Sequence, residues 1–469
     1  NLSQIITASC PLVFPCFSSH RVFFFFSLDV VDHYSCSSNS DGSGATDYLT
    51  YVQKPSTLVT PWLDKPTKMR VLLLLLLYVA IVSAAVNSKT IAGKTIYGYQ
   101  AWFRCPGDGS GWPTYWHWTE SSSQPPNNQT IRVDLFPDVS EYPSECLCPT
   151  QLSRADGTPL KLYSSFCTGV IDTHFKWMKK YNIDGVFVQR FFGYQNNPDT
   201  AQILQKVRAA AEKYGRVFAV EYDMSGAAGD QIQDFLTKDW EYLTNTLHIT
   251  DSPAYLHHNN LPVLEIWGFF KERMTPQQAT NALNYFKPKT FLIAGVNWIW
   301  RFEDVKNNDP YAQVYKIPHV IQPWMVGAFD EGGFQGSWPQ LLKDDMDYAR
   351  SIGVEYSPVL WPGFSWRNMH VNHNPPQDAK LNQVPRDGGK FIKAQAEVHI
   401  ANKPLFLFLA MFDEVDEGTA QFKVVATREN APVSPPFVTL DMDGYKMNKD
   451  AYLVIAGGIT KKFHQVWGN

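Results

Sequence analysis

The chain has 469 residues, of which 18% are charged, 44% hydrophobic and 14% aromatic, with a formal net charge of -4 at pH 7. The low charge and high aromatic content, together with a low mean hydropathy of -0.25, exclude a disordered polymer, a coiled coil and a protein with several membrane spans. The 41 basic and 45 acidic residues form no long run of either sign, so we expect no nucleic-acid partner and favour an uncharged ligand.

The beginning of the chain predicts a secretory signal peptide. Residues 1–68 lack helical and strand periodicity, whereas Met69 and Arg70 precede 12 apolar residues at 71–82 and small residues at 83–85. A membrane anchor is the alternative, but the apolar stretch 71–86 is shorter than the roughly 20 residues that a spanning helix needs. We expect a disordered or untranslated head at 1–68 and a signal peptide at 69–85. The protein would then be secreted or lie in the secretory-pathway lumen, with no membrane span after cleavage.

Four cysteines follow this segment: Cys105, Cys146, Cys148 and Cys167. An even number in a secreted chain predicts one or two disulfides, and four cysteines allow three pairings. A zinc site is the weaker interpretation, because Cys146 and Cys148 are too close for a CxxC pair and no His pair follows. The sequon NQT at 128–130 predicts glycosylation in a surface loop.

From residue 95 onward, short apolar runs alternate with segments of helical spacing. The predicted strands are 95–102, 185–191, 216–223, 261–268, 290–296, 320–327, 354–361 and 405–412. The predicted helices are 170–181, 199–214, 231–247, 276–286, 338–352 and 390–401, with a poorer one at 305–315. Apolar strands separated by helices are typical of a parallel sheet, which predicts an α/β fold: a single (β/α)8 TIM barrel at 86–431 with long βα loops. Residues 432–469 would form a short C-terminal appendage packed on the barrel, with a helix at 448–456.

In such a barrel the active site forms at the carboxyl ends of the strands. The residues at the predicted strand ends are Tyr99, Trp102, Arg190, Glu221, Tyr222, Asp223, Glu265, Trp267, Asn297, Trp298, Trp300, Trp324, Trp361, Asp413, Glu414, Asp416 and Glu417. Aromatic rings beside carboxylates indicate a carbohydrate cleft, because sugar C–H faces stack on rings while hydroxyls pair with carboxylates. Any single Trp can instead pack the barrel, which we favour for Trp177 and Trp240 on helices.

The eighth predicted strand runs directly into the acidic turn DEVDEGT at 413–419. Four carboxylates in five positions repel one another, which raises the pKa of some of them, as a general acid requires near neutral pH. A calcium site and a salt-bridged strand end are the alternatives, although the spacing is not that of an EF-hand. Catalysis is the favoured interpretation.

The segment FDEVDEGT at 412–419 resembles the Asn-Glu-Trp-His-Glu-Gly-Thr signature of glycoside hydrolase family 99, the endo-alpha-mannosidases, and more closely their family 71/99-like relatives. Supporting segments are YGYQAW at 97–102, WHW at 116–118 and DLFPDVSEY at 134–142, so the resemblance covers about residues 95–425. Asp413, Val415 and Asp416 stand where the family has Asn, Trp and His. The surroundings of the two glutamates therefore differ from the family pattern.

The resemblance implies a retaining, endo-acting hydrolase of alpha-linked mannosides that needs no cofactor and no metal. Glu414 would be the base that activates the substrate's own 2-hydroxyl, which attacks the anomeric carbon to form a 1,2-anhydro sugar, and Glu417 would be the acid/base. This chemistry suits two carboxylates on one turn better than direct attack, for which the pair flanks the bond roughly 5 to 5.5 Å apart. The predicted substrate-binding residues are Tyr99, Trp102, Trp116, His117, Trp118, Glu265, Trp267, Trp361, Asp413 and Asp416.

The predicted partner is therefore an oligosaccharide or polysaccharide substrate. An alpha-1,3-glucanase-like or pentosidase-like hydrolase is a second possibility on the same barrel. A catalytically silent carbohydrate-binding barrel is a third, against which the retention of Glu414 and Glu417 argues, because a lectin needs no acid/base pair. His117, taken alone, is equally compatible with a buried structural histidine.

Overall fold

The structure, a computed structural model, describes residues 85–193, 197–370 and 379–468. The predicted head and residues 69–84 of the predicted signal peptide lie outside the described residues. All of the described residues belong to one compact unit, 66–469. Within these three ranges, no helix is both long and apolar enough to cross a membrane.

The eight predicted strands are present, and they form one parallel sheet. In chain order the strands are β1 (Thr95–Tyr99), β2 (Leu147–Ser153), β3 (Pro159–Tyr163), β4 (Gly185–Phe191), β5 (Val217–Asp223), β6 (His257–His258), β7 (Leu261–Phe269), β8 (Phe291–Asn297), β9 (Val320–Trp324), β10 (Glu355–Tyr356), β11 (Val359–Leu360) and β12 (Leu407–Leu409). The sheet order is β10-β9-β8-β7-β5-β4-β1-β12-β11. β2 and β3 form a separate antiparallel hairpin, and β6 is a short antiparallel partner of β7.

The seventh barrel strand is divided into two short parts, and it closes the barrel because each part pairs with a different neighbouring strand. Its first part, β10, pairs with β9, and its second part, β11, pairs with β12. The change of partner occurs at Ser357 and Pro358: the Ser357 amide donates to Ile321 at 2.9 Å, and the Pro358 carbonyl accepts from Phe408 at 3.1 Å. Proline has no N–H to donate, so the ladder to β9 ends there. The predicted (β/α)8 barrel is thereby confirmed.

The helices surround this barrel. They are α1 (Thr168–Lys180), α2 (Pro198–Tyr214), α3 (Asp230–Glu241), α4 (Pro276–Phe286), α5 (Glu331–Gln335), α6 (Trp338–Ser351), α7 (Arg367–His370), α8 (Lys390–Ala401) and α9 (Ala451–Trp467). The helix predicted at 231–247 ends as α3, and a π-helical turn continues it over Tyr242–Thr246. The poorer candidate at 305–315 is not an α-helix: the fully described segment 298–319 contains a π turn at Arg301–Val305 and a 3-10 helix at Pro310–Lys316.

The last helix, α9, continues 11 residues beyond the predicted end at residue 456. The adjacent Gly457 and Gly458 suggest a helix end in the sequence, since glycine is a poor helix former. In the structure, a Cβ at Gly457 would lie 2.2 Å from the carbonyl oxygen of Tyr181. Gly457 therefore allows α9 to pack closely against the end of α1, and it lies inside the helix rather than at its end.

The long connection between β1 and α1 is cross-linked by two disulfides. Cys105 pairs with Cys148, and Cys146 pairs with Cys167, which is one of the three pairings that the sequence allows. The first bond joins the start of this connection to the β2–β3 hairpin, and the second joins the residue before β2 to the residue before α1. The same connection carries Trp102, Trp116 and His117, so the disulfides restrain the aromatic residues above the barrel.

Candidate active site

The acidic turn is tied to the loop that follows β1. The carboxylate of Asp413 accepts the backbone N–H groups of Gln100 and Ala101, at 2.9 and 2.8 Å. Ala101 has a φ of 48°, an uncommon conformation for a residue with a Cβ, and these bonds help to hold it. Asp413 is fully buried, so its contribution is to set the position of Gln100 rather than to face a ligand.

Glu414 is held by two side-chain donors. Gln100 Nε2 donates to Oε1 at 2.6 Å, and the Thr419 hydroxyl donates to Oε2 at 2.5 Å. The chain reverses between Glu414 and Thr419 through Gly418, whose φ is 66° and whose added Cβ would lie 3.0 Å from Ser365. Gly418 thus allows the turn to bring Thr419 back onto Glu414. Both carboxylate oxygens are oriented by hydrogen bonds, as is expected of a preorganised base.

Glu414 and Glu417 both line a cavity of about 320 Å³ at the carboxyl end of the barrel. The other residues that line this cavity are Gln100, Trp102, His117, Gln189, Phe191, Phe192, Asp223, Ser225, Trp267 and Trp324. Among these described residues there is no lysine or arginine. The cavity is therefore acidic and aromatic, and it offers no cation to bind an anionic sugar.

Burial raises the pKa values of the carboxyls in the turn. Burial, followed by the charges of Glu414, Asp416 and Asp223, raises the pKa of Glu417 well above its usual value. Burial and Asp416 raise the pKa of Glu414 to about 8, although the hydrogen bonds from Thr419 and Gln100 oppose this shift. Burial also raises the pKa of Asp413 and that of Asp416 to about 7. Glu417 therefore retains its proton near neutral pH.

Aromatic rings form two sides of the cavity. Trp102 is stacked between His117, at 3.7 Å between ring centroids, and Phe191, at 5.0 Å. Trp267 and Trp324 meet edge to face at 6.1 Å. Burial and the nearby Arg104 and Arg132 lower the pKa of His117 to about 3, so its ring is neutral. Neutral, flat rings beside carboxyl groups suit the apolar face and the hydroxyl edge of a sugar ring.

Four polar atoms of the cavity residues are buried, and no described residue forms a hydrogen bond with them. Two are donors, the indole N–H groups of Trp102 and Trp267, and two are acceptors, the Oε1 atoms of Gln100 and Gln189. Buried polar groups are normally paired with protein, water or a ligand. Donors and acceptors of this kind match the hydroxyl groups of a carbohydrate, which can both donate and accept.

The structure brings only part of the predicted set together. Trp102, His117, Trp267, Glu414 and Glu417 line the main cavity. Trp116, His117 and Asp416 line a neighbouring cavity of about 130 Å³, in which His117 Nδ1 lies 3.4 Å from Asp416 Oδ2. His117 separates the two cavities, so both belong to one candidate site.

The other five predicted substrate-binding residues line neither of these cavities, and we do not retain direct substrate contact for them. They are buried: Tyr99, Trp118, Glu265, Trp361 and Asp413. The Tyr99 hydroxyl is bonded to His174 Nδ1 at 2.9 Å, and the Trp118 indole donates to the carbonyl of Tyr163 at 2.9 Å. The ring of Trp361 packs on Phe391 at 4.8 Å between centroids. Burial against other elements, which a strand-end position does not reveal, explains these differences.

Seven cavity residues were not in the predicted set: Gln100, Gln189, Phe191, Phe192, Asp223, Ser225 and Trp324. Asp223 and Trp324 do stand at predicted strand ends, and Gln100 and Gln189 lie at or beside the ends of β1 and β4. The predicted substrate-binding set contains only aromatic residues, a histidine and carboxylates, so it omits both glutamines. Among the described residues, no group of three or more His, Cys, Asp or Glu side chains is arranged to hold a metal ion.

Comparison with known proteins identifies a structural relative. No protein-family model matches the chain, and no curated protein matches it either. Two solved structures of the GH99 endo-alpha-mannosidase from Bacteroides thetaiotaomicron, one in complex with bis-tris-propane, superpose with a TM-score of 0.57 at 15% identity. The match covers 81% of this chain and 99% or 100% of theirs. The resemblance inferred from the acidic motif is thereby confirmed at the level of the fold.

Proposed function

We propose that the protein is a retaining glycoside hydrolase that cleaves alpha-linked, mannose-type glycans by participation of the substrate's 2-hydroxyl. The observation that carries this proposal is the placement of Glu414 and Glu417 in one acidic, aromatic cavity at the carboxyl end of the barrel. We infer a mannose-type substrate because the acidic turn resembles the signature of glycoside hydrolase family 99 and because a family 99 endo-alpha-mannosidase has a similar fold.

In the first step, Glu414 takes the proton of the sugar's 2-hydroxyl while the oxygen forms a bond to the anomeric carbon. Glu417 gives its proton to the glycosidic oxygen as the bond to the anomeric carbon breaks, leaving a 1,2-anhydro sugar. In the second step, Glu417 takes a proton from water as the water attacks the anomeric carbon, and Glu414 returns its proton to O2 as the bond between O2 and the anomeric carbon breaks. Two displacements at one carbon retain the configuration.

The electrostatics support this division of roles. A base must be ionised and an acid protonated at the same pH, so the base needs the lower pKa. Hydrogen bonds from Thr419 and Gln100 favour the charged form of Glu414, whose pKa is raised to about 8, whereas burial and the Glu414 charge raise the pKa of Glu417 well above its usual value. As pH rises, Glu414 therefore loses its proton first, and the productive form carries its charge on Glu414.

This order of ionisation predicts the pH dependence. Activity is lost as pH falls through the pKa of the base, so the acidic limb of kcat/KM is expected well above pH 4.5, towards the Glu414 value of about 8. The Asp416 charge contributes to that shift, and Asp416→Asn should move the limb to lower pH. The exposed Asp347 on α6 provides the matched control, Asp347→Asn. A limb near pH 4.5, or one that Asp416→Asn does not move, would contradict the assignment.

Secretion is part of the proposal. Two disulfides suit an oxidising compartment, and Asn128 of the sequon is exposed. We propose cleavage of the signal peptide near residue 85 and glycosylation at Asn128. N-terminal sequencing and mass spectrometry of secreted material, with and without glycan removal, test both points, and a start upstream of Met69 contradicts the first.

The function is tested by expressing the full chain through a secretory pathway and measuring sugar release. The panel contains alpha-mannans, N-glycan fragments, alpha-1,3-glucan and pentosans. Release from the mannose-containing substrates with retained anomeric configuration supports the proposal. Sugar release only from glucan or pentosan would contradict the mannose-type substrate but keep the hydrolase. Binding without release favours a catalytically silent carbohydrate-binding barrel.

A further inference from the structure

A row of polar residues crosses the barrel beneath the cavity. Gln189 on β4, Glu221 on β5 and Glu265 on β7 are direct neighbours in register. Glu221 and Glu265 have no exposed surface. Branched apolar residues usually fill this part of a barrel, so a buried row of one amide and two carboxyls is unusual. The mechanism proposed above uses none of the three.

Gln189 connects this row to the cavity. Its Nε2 donates to Glu221 Oε1 at 3.1 Å, while no described residue donates to its buried Oε1. Gln100 repeats the arrangement, since its Nε2 donates to Glu414 and its Oε1 has no described partner. Both glutamines line the cavity. Each therefore commits its amide nitrogen to a buried glutamate, and its carbonyl oxygen is buried beside the cavity without a described partner.

Glu221 determines which way the Gln189 amide faces. Burial raises the pKa of Glu221 to about 8 against the hydrogen bond from Gln189, and burial together with the Glu221 charge raises the pKa of Glu265 well above its usual value. Glu221 Oε1 accepts from Gln189 Nε2 at 3.1 Å and therefore carries no proton itself, so turning the amide over would place it against the Gln189 carbonyl oxygen, another acceptor. The carbonyl of Gln189 is thus held as an acceptor, and its partner must be a donor.

We propose that Gln189 is a specificity-determining residue whose carbonyl oxygen accepts a hydrogen bond from one free hydroxyl of the sugar bound beside Glu417, and that Glu221 is its positioning residue. The inference rests on the proposed function and adds a requirement to it. The site selects a sugar with an unsubstituted hydroxyl at that position. It disfavours the deoxy sugar, which leaves the oxygen unpaired, and the O-methyl sugar, which has no proton to donate.

The test uses the best substrate of the panel and its set of monodeoxy and O-methyl analogues. Wild-type protein should lose about 10-fold in kcat/KM for the analogue that lacks the recognised hydroxyl. Gln189→Met has a similar volume and no acceptor, so it should lose about 10-fold for the parent sugar and nothing further for that analogue. Gln395→Met is the matched control, because Gln395 is buried on α8 and does not line the cavity; its discrimination among analogues should match wild type.

The positioning role needs two substitutions of Glu221. Glu221→Gln keeps an acceptor for Gln189 Nε2 and should preserve the discrimination, whereas Glu221→Leu should lose it to the extent that Gln189→Met does. The double variant Gln189→Met/Glu221→Leu should show no further loss. Thermal unfolding of each variant shows whether it folds. If Glu221→Leu does not fold, the contrast between Glu221→Gln and Gln189→Met still decides the proposal.

The outcomes separate this inference from the proposed function. Wild type that neither binds nor cleaves any sugar of the panel overturns both. Wild type that cleaves a sugar, together with a Gln189→Met variant that discriminates among all analogues as wild type does, overturns the inference alone. Loss of discrimination in Glu221→Gln overturns the positioning role of Glu221.

Discussion

Glu417→Gln is expected to lower kcat for glycans by about 1000-fold while leaving their binding nearly unchanged. The amide has almost the volume of the carboxyl but no proton to give to the leaving oxygen. Burial and three neighbouring carboxyls raise the pKa of Glu417, so the wild-type residue holds that proton near neutral pH. Steady-state kinetics and calorimetric binding of the same oligosaccharide measure the two quantities.

The leaving group distinguishes an acid from a residue that only shapes the cavity. A glycosyl fluoride needs little protonation to depart, so Glu417→Gln should retain a much larger share of wild-type activity on the fluoride than on a glycan. Glu355→Gln is the matched control, because Glu355 is exposed at the start of the seventh strand, at the opposite end of the barrel. An unaltered kcat on glycans in Glu417→Gln would refute the role of Glu417.

Glu414→Gln is expected to cause a loss of about 1000-fold on both the glycan and the glycosyl fluoride. The base is needed whatever the leaving group, because the 2-hydroxyl must lose its proton to attack the anomeric carbon. The substitution also replaces the carboxylate that accepts from Gln100 and Thr419 with a neutral amide. Measuring kcat/KM for both substrates in parallel with Glu417→Gln checks the contrast between the two residues.

A 2-fluoro sugar distinguishes the proposed role of Glu414 as a base from a role as a direct nucleophile. A 2-deoxy-2-fluoro sugar traps a covalent glycosyl-enzyme on a nucleophilic carboxylate, whereas participation of the 2-hydroxyl cannot occur without that hydroxyl. We expect no mass increase of the intact protein after incubation with a 2-fluoro glycosyl fluoride. A labelled peptide containing Glu414 would contradict the mechanism, although it would leave the hydrolase class intact.

Much of the barrel could be predicted because strands and helices leave local signals. Apolar runs such as 185–191 coincide with a complete strand, and the helix at 276–286 has a Pro at its first position after the capping residue Thr275. Local signals failed where contacts from elsewhere in the chain prevail. Gly457 lies inside a helix because the Tyr181 carbonyl occupies the space that a Cβ would need. The seventh strand is divided because its first part pairs with β9 and its second part pairs with β12.

The candidate site was predictable to the extent that it depends on strand ends. The acidic turn was predicted at the mouth of the barrel because it comes directly after the eighth strand. Trp102 and Trp267, which were predicted from strand ends in the same way, also line the cavity. Tyr99 and Trp361 also stand at strand ends, yet their rings lie inside the protein. The direction of a side chain at the mouth of a barrel depends on the loops above it, and these loops have no periodicity from which to infer it.

The sequence by itself determined the fold class, the order of the eight strands and the presence of Glu414 and Glu417 at the mouth of the barrel. These features depend on the spacing of apolar residues and on a motif of a few neighbouring residues, which are local properties of the chain. The tertiary structure alone decided the cysteine pairing, the cavity lining and the contact of Gln189 with Glu221. Such contacts join residues tens of positions apart, and their energies depend on distances that arise only when the barrel closes.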